Sequence, residues 1–482
     1  MGLDDVLSGG LTRNRLYLVE GMPGSGKTTL ALQFLMAGAK EGEPVLYVTL
    51  SETAEELRAV AASHGWTLDG VEIRELTPTE GVLDPDEQNT MFHPSETELA
   101  STTQLILDDV VRLRPSRVVF DSLSELRLLS GSALRYRRQI LALKQFFASR
   151  DCTVLLLDDM TAADHDLQMQ SIAHGVVLLD QLNPEYGAER RRLRVVKYRG
   201  VKFRGGFHDF VINTGGIQVF PRLVASEHRR LTSHGKLASE VVELDVLLGG
   251  GIEEGTSTLI VGAAGTGKST VAAQFAAAAA RRGQGAAIFV FDESPATLLS
   301  RCEQLEIDLP AQLDAGRASI QQIDPAEMTP GEFIHAIRRA VEVQKVKLVV
   351  IDSLNGYLNA MPEERHLTIQ LHELLVYLGQ MGVATILIGA HQGLIGGQMV
   401  TPVDASYLAD AVVLLRYFED RGEVRQTIAV VKKRGGAHER TLREFRLGPK
   451  GITVGQPLRE FRGVLTGTPV YDDVDRGPRG AT

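Results

Sequence analysis

Short apolar runs alternate with amphipathic stretches along this chain, and the alternation occurs twice. In the first half the runs fall at residues 16–20, 45–50, 118–120 and 153–157; in the second they fall at 258–261, 287–291, 348–351 and 384–388. Runs of that length suit strands buried on both faces of a parallel sheet, and the stretches between them, 28–40 and 269–282 most clearly, suit covering helices. After about residue 186, and again after about 423, closely spaced hairpin-like strands end each half. The expected fold is α/β: two tandem domains, each a mostly parallel central sheet flanked by helices with a terminal β-hairpin region.

The halves are copies of one another. Leu3-Asp4 through Gly9-Gly10 returns as Leu244-Asp245 through Gly250-Gly251, Gly21 to Thr28 returns as Gly262 to Ser269, and Gln33-Phe34 returns as Gln274-Phe275, all 241 residues apart. Glu52 and Glu293 keep that offset. Farther on, Asp121-Ser122 answers to Asp352-Ser353 at 231 and Arg199-Gly200 to Arg434-Gly435 at 235, a drift that loop-length changes explain. Similarity at a fixed offset marks duplicated architecture. Residues 1–224 are therefore read as one module and 236–450 as its copy, joined by a linker. Residues 451–482 form an extension whose end, rich in Asp, Gly and Arg, is expected to be disordered.

Composition narrows the picture. A chain of 482 residues exceeds what one hydrophobic core serves, and 44% hydrophobic with 23% charged residues is ordinary globular composition. The formal charge of −10 tells against a wholly basic nucleic-acid binder, which needs clustered Lys and Arg; the run Arg190-Arg191-Arg192 is the best candidate for a local basic patch, with a solvated turn or strand end the commoner reading of so short a run. Cys152 and Cys302, each beside apolar or helical sequence, suit reduced thiols in the cytoplasm. No apolar run is long enough for a membrane span, and the first five residues lack the basic start of a secretion signal. The alanine run 276–280 reads as one buried helix.

The duplicated glycine-rich segment carries candidate chemistry. In the pattern G-x-x-x-x-G-K-[ST], small residues let backbone N–H groups surround phosphate oxygens while the following helix points its positive end at them. Gly24, Ser25, Gly26, Lys27, Thr28 and Thr29 supply it in the first module, and Gly265, Thr266, Gly267, Lys268, Ser269 and Thr270 in the second. Lys27 and Lys268 are expected to reach the β- and γ-phosphates of ATP, and Thr28 and Ser269 to hold Mg²⁺. A plain glycine-rich turn is the alternative, and the repeated strand–loop–helix context argues against it. Asp121 and Asp352 end buried strands beside the loops, where a carboxylate of the metal's outer shell belongs, although Asp-Ser also caps helices well.

Glu52 and Glu293 end the second strand of each copy, the place for a group that orients the attacking water or hydroxyl. Ser51 precedes one and Asp292, a further catalytic candidate, the other, and a carboxylate starting the next helix is the bland alternative. Lys197 and Arg199, with Lys432 and Arg434, end a late strand in each module. They can act on a neighbour's phosphates as charge-stabilising fingers or simply be solvated cations, and the sequence leaves both open. His391-Gln392, with Asp158-Asp159 near the same place in the first copy, could sense the γ-phosphate.

At these residues the chain resembles the circadian-clock KaiC family within the RecA superfamily, over about residues 1–450. The tandem phosphate loops, the acid after the second strand, the Asp-Ser strand ends and the two Lys-x-Arg-Gly segments carry the resemblance, with Gly205 to Phe210 and Gly216 to Phe220 adding specificity. It implies two RecA-like P-loop NTPase domains in a double-ringed homohexamer, with ATP at subunit interfaces and the Lys-x-Arg pairs acting across them. It further implies a slow ATPase in the first tier, serine/threonine autophosphorylation in the second, and a protein partner in signalling. The acceptor region then runs from Thr401 to Asp410, with Ser406-Tyr407 where the family has adjacent Ser and Thr. Three departures stand out: Ser51-Glu52 and Asp292-Glu293 in place of paired glutamates, Tyr407 in place of Thr, and an ending at 458–470 similar to family members outside the oscillator group, so that a clock role is not implied. The alternatives are an ATP-gated scaffold with slight turnover and a DNA-dependent RecA-type ATPase.

Overall fold

The computed structural model describes residues 2–76, 94–160, 167–228, 235–359, 366–390, 407–464 and 470–471, with the backbone alone described at 94–103, 167–168 and 359. The chain separates into two compact units, Met1–Arg222 and Leu223–Thr482. The first is built on a nine-stranded sheet of β1 (Leu16–Gly21), β2 (Val45–Thr49), β3 (Val71–Glu75), β4 (Arg117–Asp121), β5 (Thr153–Asp158), β6 (Gly175–Leu182), β7 (Arg190–Tyr198), β8 (His208–Asn213) and β9 (Gly216–Phe220). Their order across the sheet is β3-β2-β4-β5-β1-β6-β7-β8-β9. The first six run parallel, and β6 through β9 are joined antiparallel.

The second unit repeats this plan. After a small ribbon of β10 (Lys236–Leu237) and β11 (Ile252–Glu253), its sheet contains β12 (Ser257–Gly262), β13 (Ala286–Val290), β14 (Ala318–Gln322), β15 (Leu348–Asp352), β16 (Ala384–Ala390), β17 (Ala411–Asp420), β18 (Glu423–Lys433), β19 (Arg443–Gly448) and β20 (Gly451–Pro457). The order β14-β13-β15-β16-β12-β17-β18-β19-β20 matches the first sheet strand for strand. The register matches too: Leu16 lies beside Val154 as Ser257 lies beside Thr385.

Because side chains alternate across a strand, the central strands feed two cores each. Leu18, Val48, Val118 and Leu156 pack on one face of the first sheet, while Tyr17, Tyr47, Val119 and Leu155 pack on the other. In the second, Ile260, Ile288 and Val350 meet the helix Lys268–Arg281, whose alanines 276–280 are all fully buried. The opposite face carries Leu259, Phe289 and Val349. Two strands per sheet escape the apolar-run reading. Val71–Glu75 is an edge strand with a polar, exposed face, and Gly175–Leu182 is the parallel strand that starts the hairpin region. Burial pushes the Cys152 thiol up to about 12 and the Cys302 thiol to about 11, so both are poor nucleophiles at neutral pH. Among the described residues no helix is long and apolar enough to cross a membrane.

Candidate nucleotide sites

In a parallel α/β sheet ligands gather at the carboxyl ends of the strands, and both glycine-rich loops lie there, between β1 and the helix Lys27–Lys40 and between β12 and the helix Lys268–Arg281. A cavity of about 730 Å³ in the first unit lies elsewhere: Arg13, Asn14, Ser116 and Asp151 line it at the other end of the same strands. Gly26 and Gly267 cap the two helices with φ of 98° and 92°, a left-handed geometry that glycine adopts without penalty. A Cβ on Gly26 would come within 2.7 Å of Ile212 Cδ1, so the cradle also needs glycine for space.

The loop residues occupy matching environments. Ser25, Lys27 and Thr29 are buried, as are Thr266, Lys268 and Thr270, while Gly24 and Gly265 are exposed at the loop tips. Ser25 Oγ is buried without a hydrogen-bond partner among the described residues, a polar atom that suits a phosphate oxygen. Lys27 Nζ donates to Gly21 O at 2.9 Å and Met22 O at 3.0 Å, and Lys268 Nζ to Ala263 O at 2.8 Å. Burial lowers the Lys268 ammonium below its ordinary value against the opposing charge of Asp352.

The acidic strand ends reach the loops. Thr28 Oγ1 donates to Asp121 Oδ2 at 3.3 Å, and the Tyr47 hydroxyl donates to the same oxygen. In the second unit Ser269 and Asp352 hold the corresponding positions, and the Ser269 hydroxyl pulls the Asp352 carboxyl down against its burial. Burial raises both carboxyls above the usual range, and these hydroxyls pull against it. A hydroxyl and a carboxylate together form a hard oxygen donor set, which fits a magnesium ion. Ile288 stands where Tyr47 does in the first copy, so the tyrosine contact has no counterpart.

The two glutamates after the second strand differ most. Glu52 is half-buried, and its Oε2 has no hydrogen-bond partner among the described residues. Burial first, then the charges of Asp121, Glu56 and Asp159, push its carboxyl above the ordinary glutamate value, with Lys27 opposing. Glu293 instead sits in a two-pronged ion pair with Arg301 at 2.8 and 2.7 Å, and Asp292 accepts from Ser353. Position 60, which corresponds to Arg301, is Val60.

The Lys-x-Arg pairs lie far from their own loops. Lys197 pairs with Val176 near the start of β6 and donates to the carbonyls of Gln170, Ser171 and Ala173, with Arg199 on Ser171 O as well. Lys432 donates to Ala409 O, and Arg434 reaches Tyr407 O at 2.8 Å and Asp410 Oδ1 at 3.6 Å. Tyr407 itself is exposed. Thr401, Ser406, His391 and Gln392 lie outside the described residues, as does the tail 473–482.

Sequence reasoning missed the Tyr47 contact and the Arg301 clamp. A tyrosine inside an otherwise aliphatic strand and an arginine eight residues after Glu293 are the signals that could have marked them.

The family model described as the KaiC ATPase matches residues 1–224 and 237–459. The circadian clock protein KaiC3 of Synechocystis sp. is 26% identical, with 98% of this chain and 93% of that protein covered. The circadian clock oscillator proteins KaiC of Thermostichus vulcanus and Synechococcus elongatus are each 28% identical, with 98% of this chain and 91% of theirs covered.

Proposed function

The chain belongs to the KaiC family of ATPases, and on that footing we propose that it is a homohexameric Mg-ATP hydrolase whose second module also phosphorylates itself on serine or threonine, working in signal transduction with a protein partner in the cytoplasm. The observation that carries the hydrolase reading is the first cradle: a buried lysine, a hydroxyl–carboxylate pair and a half-buried glutamate oxygen with no partner among the described residues. Lys27 and the loop amides hold the terminal phosphates in place. Glu52, kept partly out of water, takes the proton of the attacking water as its oxygen bonds to the γ-phosphorus and the bridge to the β-phosphate breaks. Thr28 with Asp121, and Ser269 with Asp352, would hold magnesium, which neutralises phosphate charge when bound.

In the second module the Arg301 clamp occupies Glu293 and withdraws it from water activation. That arrangement favours slow hydrolysis there and leaves the γ-phosphate available to a hydroxyl of Thr401, Ser406 or Tyr407. Lys197, Arg199, Lys432 and Arg434 act across subunit interfaces in this reading, since they lie at the far ends of their own strands. The same clamp supports a second reading, an ATP-gated ring with slight turnover that a partner recognises.

The experiment is to size the protein with and without Mg-ATP, map label from γ-labelled ATP, and repeat both with Lys27→Ala and Lys268→Ala. Lys27→Ala is expected to abolish most turnover and ATP-driven assembly, and Lys268→Ala to abolish labelling. Turnover without label removes the kinase half, and no nucleotide binding by the unmodified chain removes the whole reading.

A further inference from the structure

The first cradle contains an anion of its own. Asp159 Oδ1 lies 2.9 Å from Lys27 Nζ, so the lysine's three protons are met by two loop carbonyls and one carboxylate. The Lys27 side chain is 6% exposed and that of Asp159 29%, so solvent reaches the pair from the carboxylate side alone and screens it only in part. The other carboxylate oxygen is held by Ser124 Oγ at 2.8 Å, and Ser124 is in turn bonded to Ser122, next to Asp121. The carboxylate is therefore oriented onto the lysine.

The second cradle has no such group at the corresponding position. Glu20 pairs with Asp158 across β1 and β5, and Val261 pairs with Gly389 across β12 and β16; Glu20 and Val261 correspond at the offset of 241. Asp159 thus answers to Ala390. Asn355, which answers to Ser124, exchanges two hydrogen bonds with the Ala390 backbone at 3.2 and 2.9 Å. The same support serves a side chain in one copy and main chain in the other.

We propose that Asp159 is a counter-anion that competes with the terminal phosphates of ATP for Lys27, so that the first module takes Mg-ATP more weakly than the second and position 159 sets the difference. This rests on the reading of both loops as ATP cradles and adds a specificity-determining residue to it. A phosphate that reaches Lys27 must displace the carboxylate and then lie beside it, two anions within a few ångströms in a pocket that solvent screens only in part. The penalty grows with phosphate charge, so the triphosphate suffers more than the diphosphate. With rising ATP the second site fills first.

The test uses the full chain and calorimetric titration with a non-hydrolysable ATP analogue plus magnesium, and with ADP plus magnesium. In a Lys268→Ala background, Asp159→Asn is expected to bind the analogue about tenfold more tightly than its parent, the scale of one charge-assisted hydrogen bond, with a smaller gain for ADP. Asp159→Glu keeps the charge and is expected to stay weak. In a Lys27→Ala background, Ala390→Asp is expected to weaken the second site by a similar factor. Thermal melts of each variant separate this from a purely structural role, which moves stability without dividing the analogue from ADP. An Asp159→Asn affinity within twofold of its parent, or weaker, overturns the proposal while the ATP reading stands. No analogue bound by the unmodified chain removes the ATP reading itself.

Discussion

Glu52 and Glu293 hold corresponding places in the two copies yet meet different surroundings, and the difference comes from single residues. Arg301 faces one; Val60 stands in its place for the other. A raised carboxyl in a cleft is the state expected of a group that takes protons near neutral pH, and Glu52 is raised chiefly by burial. Glu52→Gln is therefore expected to cut hydrolysis by about 10²- to 10³-fold while ATP affinity changes little, and to remove the acid limb of the pH–rate profile measured at saturating ATP. The stability effect has the opposite direction. A group whose folded pKa lies above its unfolded value contributes stability below the unfolded value, near pH 4.3, and loses it as pH rises through the folded one. At pH 7 the wild type carries that cost and Glu52→Gln does not, so denaturant melts should find the variant more stable at pH 7, with the gap closing toward pH 4.

The elements that position these residues are strand, loop and helix in immediate succession, and the helix starts depend on backbone shape. Gly267 has φ of 92°, and a Cβ there would sit 2.9 Å from Phe445 Cε1 and 3.0 Å from Leu447 Cδ1 on β19. Gly267→Ala is expected to destabilise the second unit by about 1–3 kcal/mol through strain and crowding, and to weaken nucleotide binding there, as read by denaturant melts and titration. Edge strand β3 and parallel strand β6 show where pattern reading stops at this scale. An edge strand keeps one face wet and loses its apolar run, and a parallel strand that opens a hairpin resembles the antiparallel strands after it.

For the whole molecule the duplication means two units, each with a core on either face of its sheet, and, on the proposed reading, two ligand-linked equilibria. Each unit closes its own sheet with its own apolar layers on both faces. A ligand that binds only the folded form adds about 2.7 kcal/mol at a concentration one hundred times its Kd. Calorimetry is expected to show two unfolding transitions, both raised by a non-hydrolysable ATP analogue with magnesium. Lys27→Ala should remove the shift from one and Lys268→Ala from the other. A single transition that moves as one in both variants would count against separate units.

The contiguous features are legible in the sequence by itself: the tandem α/β plan, the 241-residue repeat, the glycine-lysine loops and the helices they start. They depend on periodicity and local backbone geometry, which neighbouring residues encode without help from the rest of the chain. Glu52 is marked by its place after a strand, but that its Oε2 has no hydrogen-bond partner among the described residues while Glu293 is held by Arg301 depends on which side chains face one another. The pairing of Lys27 with Asp159, and of Tyr47 with Asp121, is decided only by the sheet, because strand order and register bring together residues that lie far apart along the chain. Burial completes that decision: the same carboxylate is ordinary in water, and takes on a shifted proton affinity or a captive lysine only when the surrounding core excludes solvent.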